Sequence, residues 1–144
     1  MAKHLEESFE CATIGYKLEG VLPEEGSVNR GIFEVEGNYV RNLEEVFDIT
    51  RGNFEKMDLR RDSLCSMNIF ALYPETVEML NDILEKFKVK NRGERSIECL
   101  LPNDISNLIR QKKIKMRIYP SEDKWYGVTN PEDEEIVKEQ LKSI

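Results

Sequence analysis

The sequence is poor in the residues from which most catalytic relays and metal sites are built. Its 144 residues include 3 cysteines and 1 histidine. Cys11, Cys65 and Cys99 form no CxxC pair, and an odd number of cysteines cannot all be bridged within one chain. Each lies among apolar neighbours, which favours buried free thiols in a reducing compartment over reactive thiols or metal ligands. His4 lies in a polar stretch that we expect to be exposed, so no Ser/His/Asp or Cys/His relay is predicted.

Long apolar runs and phosphate-binding glycine loops are also missing. No segment approaches the about 18 apolar residues that a membrane span requires, and Met1–Ser8 contains no apolar run of signal-peptide length. We therefore expect a cytoplasmic protein. Neither GxGxxG nor GxxxxGK(S/T) occurs, so the motifs that usually hold nucleotide phosphates at a helix N-terminus are not encoded.

The charge balance argues against polyanionic partners. The formal net charge is −7, so the surface repels nucleic acid and anionic membranes at long range. A small phosphorylated ligand is still compatible with this charge, because a few basic groups or backbone N–H donors can act locally. The hydrophobic share of 40% and the charged share of 34% are typical of one folded domain, which we place at residues 1–144.

Strand and helix patterns alternate along the chain. Residues 31–47 hold two alternating apolar runs around Gly37-Asn38, which predicts a β-hairpin. After Pro74, apolar residues recur at three- and four-residue spacing from Val77 to Phe87, which predicts an amphipathic helix. Further strands are predicted at 10–18, 63–72, 114–119 and 124–128, and further helices after Pro102-Asn103-Asp104 and from Pro131. The alternation favours an α/β fold in which the hairpin is an insertion over one sheet edge.

Four segments carry a more specific signal. In chain order they are IGYKLEGVLPEEGSVNRGIFEVEGNYVRNLEE, SMNIFALYPETVEML, IECLLPNDISNLIRQKKIKMRIYP and DKWYGVTNPEDEEIVKEQL. Together they resemble the second half of the sugar-1-phosphate nucleotidyltransferase family, from about Thr13 to the last residue. Enzymes of this family join a nucleoside triphosphate and a sugar 1-phosphate to give a nucleotide sugar and pyrophosphate. The fourth segment is the most specific, because its Trp-x-Gly-Val-Thr strand end is typical of one bacterial branch.

The resemblance implies a partial nucleotidyltransferase fold of GT-A or Rossmann-like type, a mixed sheet with a β-hairpin insertion and flanking helices. It further implies that residues 1–144 are the C-terminal, sugar-side portion and that the nucleotide-binding half is absent. In the family, that half holds the glycine-rich signature and the aspartate that binds the catalytic Mg²⁺. Mg²⁺ is thus implied for the complete enzyme, no cofactor is expected for this chain alone, and we expect the chain alone to be inactive.

The resemblance also assigns five substrate-binding candidates. Glu44 matches the glutamate that binds sugar hydroxyls, although the adjacent Glu45 could equally fill that position. Asn68 matches the sugar-binding asparagine, and an amide between Met67 and Ile69 in an apolar strand must find partners or carry a desolvation cost of roughly 1–3 kcal/mol. Gly31 and Arg30 belong to the glycine loop that faces the sugar, where Arg30 is the side chain best suited to a phosphate.

Thr129, at the strand end of the fourth segment, is the fifth candidate. The family often has a Mg²⁺ ligand near this point, but Gly127, Thr129 and Asn130 are not carboxylates, so no metal ligand is assigned and no catalytic residue is predicted. Trp125 is expected in the core. Asp123, just upstream, is a weaker substitute for the missing carboxylate.

Several states are compatible with such a chain. It can be a separated fragment, half of a split enzyme whose other half is a separate chain, or a binding module that keeps a pocket for a sugar phosphate or nucleotide sugar. A different class is a non-catalytic interaction module that forms homo-oligomers through an exposed sheet edge. No nucleic acid or membrane partner is expected.

Overall fold

In the residues that the computed structural model describes, five strands form a closed barrel, and four α-helices complete the described secondary structure. The structure describes residues 2–23, 25–123, 125, 127 and 133–142. The strands are β1 (Cys11–Lys17), β2 (Val28–Glu36), β3 (Tyr39–Ile49), β4 (Leu64–Ala71) and β5 (Met116–Ser121). The helices are α1 (Ala2–Glu7), α2 (Pro74–Lys90), α3 (Leu101–Arg110) and α4 (Asp133–Leu141), with single 3₁₀ turns at Leu18–Gly20 and Phe54–Met57.

The strand order around the barrel is β1-β4-β2-β3-β5. β1 is antiparallel to β4 and parallel to β5, whereas β2 and β3 form the predicted antiparallel hairpin. Two isolated residue pairs close the barrel: Ile32 with Cys65 between β2 and β4, and Tyr39 with Arg117 between β3 and β5. Closure covers strand edges that an open sheet would expose.

The expected fold class is therefore wrong. The structure is a closed five-stranded mixed barrel rather than an open α/β sheet of Rossmann-like type with flanking helices. The hairpin supplies two of the five barrel strands and is not an insertion over an edge. The physical reason is that an alternating pattern indicates one buried face of a strand but does not specify which other strand pairs with it.

Two apolar clusters fill the interior. The first lies between the barrel and α3, and the second lies under the loops that follow β1 and β3. The buried members of the first are Cys11, Phe33, Val40, Leu43, Ile105, Met116 and Ile118. Those of the second are Leu18, Val21, Leu22, Ile49, Phe54 and Cys65.

α3 is held to the hairpin by apolar packing and by one buried hydroxyl. Ser106 accepts the Leu43 backbone N–H at 3.2 Å and donates to the side-chain oxygen of Asn42. The helix begins at Leu101, just before the expected start after Pro102, and Leu100 occupies the cap position without a side-chain hydrogen bond.

α1 is fastened to the barrel by the single histidine. His4 is 9% exposed, with the Tyr119 hydroxyl 2.9 Å from Nδ1 and the Glu10 carbonyl oxygen 2.9 Å from Nε2. The expectation of an exposed His4 is wrong because both ring nitrogens find partners that a polar neighbourhood in the sequence does not indicate. Within the described ranges, none of the helices combines the length and the hydropathy that crossing a bilayer requires.

Candidate functional site

A polar cavity opens where β2 and β4 separate. Their pairing is confined to Ile32 and Cys65. If the antiparallel ladder continued, Asn29–Gly31 would lie opposite Ser66–Asn68. These two stretches instead line a cavity of about 260 Å³, together with Glu45 and Trp125. The cavity therefore occupies the space that the next ladder rungs would fill.

A bulge in β4 turns Asn68 toward this cavity. Between Thr13 and Gly15 of β1, the paired residues on β4 move from Phe70 to Ser66, so β4 carries extra residues there. Asn68 has φ of +57°, a left-handed conformation that asparagine tolerates better than most residues. Bulges that redirect a side chain are over-represented next to functional sites.

Two buried hydroxyls satisfy the backbone of the bulge. Thr13 Oγ1 donates to the Ile69 carbonyl oxygen at 2.9 Å, and Ser66 Oγ accepts the Asn68 N–H at 3.0 Å. Thr13 is fully buried and Ser66 is 4% exposed. The Asn68 side chain itself is exposed, and no hydrogen-bond partner for its amide is present in the described part of the chain. The predicted buried amide is thus wrong, and this amide is available to a ligand.

The strand register decides which glutamate of the Glu44-Glu45 pair lies at the cavity. Gly31 pairs with Glu45, and Ile32 pairs with Glu44. Because directly opposed residues share a face and neighbours alternate, Glu45 faces the cavity with Gly31 and Glu44 points away. Glu44 is exposed and does not line the cavity.

Gly31 is needed here because the backbone approaches α3 closely. A Cβ atom at this position would lie 3.0 Å from Leu43 Cδ1 and 3.4 Å from Pro102 Cγ. Gly31 is buried, and the missing side chain leaves room for Glu45 at the cavity wall. A larger residue would press β2 away from the helix or fill the cavity.

Arg30 provides the positive charge of the cavity. Its guanidinium lies 5.8 Å from the centre of the Trp125 ring, and its Nη1 donates to the Asn29 carbonyl oxygen at 2.9 Å. Its Nε is buried and has no hydrogen-bond partner in the described residues. Trp125 is 38% exposed, so its expected place in the core is wrong. A buried guanidinium nitrogen without an acceptor favours a ligand oxygen at this point.

Burial changes the titration of the charged groups around the cavity. Burial lowers the pKa of Arg30, and the nearby Glu45 carboxylate opposes this change by charge attraction. Burial also raises the pKa of Glu45, and the positive charge of Arg30 offsets part of this increase. It also raises the pKa of the Cys65 thiol to about 12, so this cysteine is a protonated, structural residue at neutral pH.

We expect Glu45→Gln to raise the melting temperature at pH 8. The folded chain binds the Glu45 proton at higher pH than the unfolded chain, because the pKa is raised on folding. The burial penalty is therefore fully present above the folded pKa and is lost as pH falls through it. The gain should shrink as the pH approaches the ordinary glutamate value of 4.5. Thermal unfolding from pH 8 to pH 4 measures this, with Glu44→Gln as the control; an equal gain in the control would contradict a burial effect.

The structure brings three of the five predicted candidates together at the cavity. Arg30, Gly31 and Asn68 line the cavity, Glu44 does not, and Thr129 lies outside the described residues. Four further lining residues were not predicted as site residues, and one of them, Trp125, was expected in the core. The lining residues that were not site candidates are Asn29, Ser66, Met67 and Trp125, and Glu45 was named as the alternative to Glu44.

The described residues do not fit a magnesium centre. They include no group of three or more His, Cys, Asp or Glu side chains that could hold a metal ion. Glu45 is the one carboxylate among the lining residues of the cavity, whereas Mg²⁺ is usually held by carboxylates together with phosphate oxygens and water. No step of the proposed function therefore passes through a metal.

Comparison with known proteins adds no family assignment. No protein-family model matches the chain, and no curated protein matches it significantly. The likeness to sugar-1-phosphate nucleotidyltransferases therefore depends on the four sequence segments.

Proposed function

We propose that the chain binds a sugar phosphate, or the sugar part of a nucleotide sugar, in the cavity between β2 and β4. In this proposal it contributes the sugar-binding side of nucleotide-sugar synthesis and does not carry out nucleotidyl transfer alone. The observation that carries the proposal is the convergence of Arg30, Gly31, Glu45 and Asn68 on one cavity. Three free cysteines, two of them buried, are compatible with the cytoplasm, which we propose as its compartment.

The chemistry of the cavity suits a polyhydroxylated ring. A carboxylate accepts hydrogen bonds from two neighbouring hydroxyls, and an amide both donates and accepts. Glu45 and Asn68 supply these two groups from different strands, so they constrain the orientation of a bound ring as well as its affinity. A cavity of about 260 Å³ lies just below the range common for drug-sized ligands, which favours one sugar ring over a whole dinucleotide.

Arg30 extends this recognition to an anionic substituent. Its buried Nε lacks an acceptor in the described residues, and its guanidinium presents a planar set of donors that suits phosphate oxygens. The Trp125 ring covers one side of the guanidinium and limits its contact with water.

Calorimetric titration with a panel of hexose 1-phosphates and nucleotide sugars tests the proposal. We expect Glu45→Gln and Asn68→Gly to weaken binding about tenfold or more, since hydrogen bonds to charged groups contribute about 1.5–3 kcal/mol. Glycine is the right replacement for Asn68 because it keeps the positive φ while it removes the amide.

Glu44→Gln is the matched control for these titrations. It makes the same chemical change one residue away on the opposite face, and we expect its affinity to stay within about twofold of the parent chain. Equal losses in both glutamate variants, or no binding of any panel member by the parent chain, would contradict the proposed site. Release of pyrophosphate from a nucleoside triphosphate and a sugar 1-phosphate by the unaided chain would contradict its inactivity alone.

A further inference from the structure

The Trp125 ring packs against the main chain at Gly127, beyond the end of β5. A Cβ atom at Gly127 would overlap with Cη2 and Cζ3 of the ring and would lie 3.0 Å from its Cε3. The ring therefore occupies the space that a side chain at this position would need. Trp125 and Gly127 lie outside the helices and strands of the described chain, so no ladder of backbone hydrogen bonds fixes the ring. Its contact with Gly127 is thus a local constraint on its position.

The same ring is part of the cavity wall, whereas Gly127 is not. Trp125 is the one aromatic residue among the lining residues of the cavity. The guanidinium carbon of Arg30 lies 5.8 Å from the ring centre, within the about 6 Å over which a cation and an aromatic ring attract each other. Gly127 can therefore influence the cavity through the ring without contacting a bound ligand.

The position of the ring matters most for a charged ligand. The ring limits the access of water to the Arg30 guanidinium, and the attraction between opposite charges is stronger where water is excluded. The buried Arg30 Nε has no hydrogen-bond partner in the described residues, so a phosphate oxygen can accept its hydrogen bond. Glu45 and Asn68 bind hydroxyl groups in the proposed site, and these groups are common to a free sugar and its phosphate. A displaced ring should therefore weaken the phosphate contact and leave the hydroxyl contacts in place.

We infer that Gly127 is a positioning residue, and that the ring it places makes the cavity selective for phosphorylated sugars over free sugars. The missing side chain of Gly127 admits the Trp125 ring, and the ring shields Arg30 from water. The selectivity rests on the proposed sugar-phosphate binding, whereas the ring position is a property of the unliganded chain. The two parts are therefore tested by separate measurements.

Fluorescence of the unliganded chain tests the ring position, because Trp125 is the single tryptophan of the sequence. In Gly127→Ala the added Cβ displaces the ring into water, so we expect emission at longer wavelength and stronger quenching by acrylamide than in the parent chain. Gly52→Ala is the matched control. Gly52 is exposed, and beyond its chain neighbours the nearest atom to an added Cβ is Thr50 Oγ1 at 3.9 Å, so its emission should equal that of the parent. Unchanged emission in Gly127→Ala would overturn the inferred placement of the ring.

Calorimetric titration of the same variants tests the selectivity. We expect Gly127→Ala to weaken the binding of hexose 1-phosphates about fivefold, as for the loss of a cation–π contact, and to change the binding of the free hexoses by less than about twofold. Equal losses for the two kinds of ligand would overturn the selectivity. If the parent chain bound no hexose 1-phosphate, the selectivity and the proposed function would both fail, and the fluorescence of the unliganded variants would still decide the ring position.

A double-variant cycle with Trp125→Phe shows whether Gly127 acts through the ring. Phenylalanine has no atoms that correspond to Cζ3 and Cη2, the two atoms with which a Cβ at residue 127 would overlap. In the Trp125→Phe chain we therefore expect Gly127→Ala to weaken hexose 1-phosphate binding by less than about twofold, compared with about fivefold in the parent chain. Far-ultraviolet circular dichroism checks that all variants keep the fold. A loss of about fivefold in both chains would mean that Gly127 acts through its own backbone, which would overturn its role in positioning Trp125.

Discussion

Replacing Leu43 with alanine is expected to lower the free energy of unfolding by about 2–5 kcal/mol, a large part of the about 5–15 kcal/mol that a domain of this size has. Leu43 is 1% exposed and belongs to the cluster that joins the hairpin to α3. Its backbone N–H donates to Ser106, so the residue lies where helix and strand are held together. Truncation would leave a cavity that the surrounding side chains fill only in part.

Urea denaturation followed by circular dichroism measures this loss, and Glu44→Ala serves as the neighbouring control. Glu44 is exposed on the opposite face of β3, so its truncation should change the unfolding free energy by less than about 0.5 kcal/mol. Comparable losses in the two variants would mean that β3 does not have the register described for it.

Thr13→Val is expected to be the most informative change at the site, although Thr13 does not touch the cavity. The substitution keeps the shape of the side chain and removes the hydroxyl that donates to the Ile69 carbonyl. A buried carbonyl that loses its donor costs about 1–3 kcal/mol. Because that bond supports the bulge that presents Asn68, we also expect sugar-phosphate affinity to fall about tenfold.

Thr13→Ser separates the hydroxyl from the packing of the methyl group. It keeps the donor, so it should retain ligand affinity while it loses up to about 1 kcal/mol of stability with the methyl group. If Thr13→Val lost stability but bound the ligand with unchanged affinity, the bulge would not depend on this bond, and a purely structural role for Thr13 would follow.

Strands and helices were predictable where apolar residues recur with strand or helix spacing, or where glycine or proline marks a turn or the start of a helix. The hairpin around Gly37-Asn38 is confirmed, as is the helix that begins at Pro74. The strands expected at 10–18 and 63–72 correspond to β1 and β4. Glycine at φ of +60° and proline in the first helical turn act through their own backbone restrictions, so a sequence reveals them without knowledge of distant residues.

Three residues of the candidate site were predictable from the sequence, but the strand register and the bulge that position the site were not. Arg30, Gly31 and Asn68 were identified through the family resemblance, and they meet at one cavity. The choice between Glu44 and Glu45 required the β2–β3 register. The bulge that exposes Asn68 contains a hydrogen bond between residues 56 positions apart, Thr13 and Ile69, and no local pattern indicates this contact.

The sequence by itself therefore determined the identity of the elements, the polar residues available to a site and the acidic character of the surface. Tertiary structure alone decided that the sheet closes, that β2 and β4 separate beside Ile32 and Cys65, and that Val77 of α2 is exposed to solvent. The physical reason is that the hydrophobic effect is non-directional. The hydrophobic effect favours the burial of every apolar face. Which element covers a given face depends on strand pairing between residues that are far apart in the sequence.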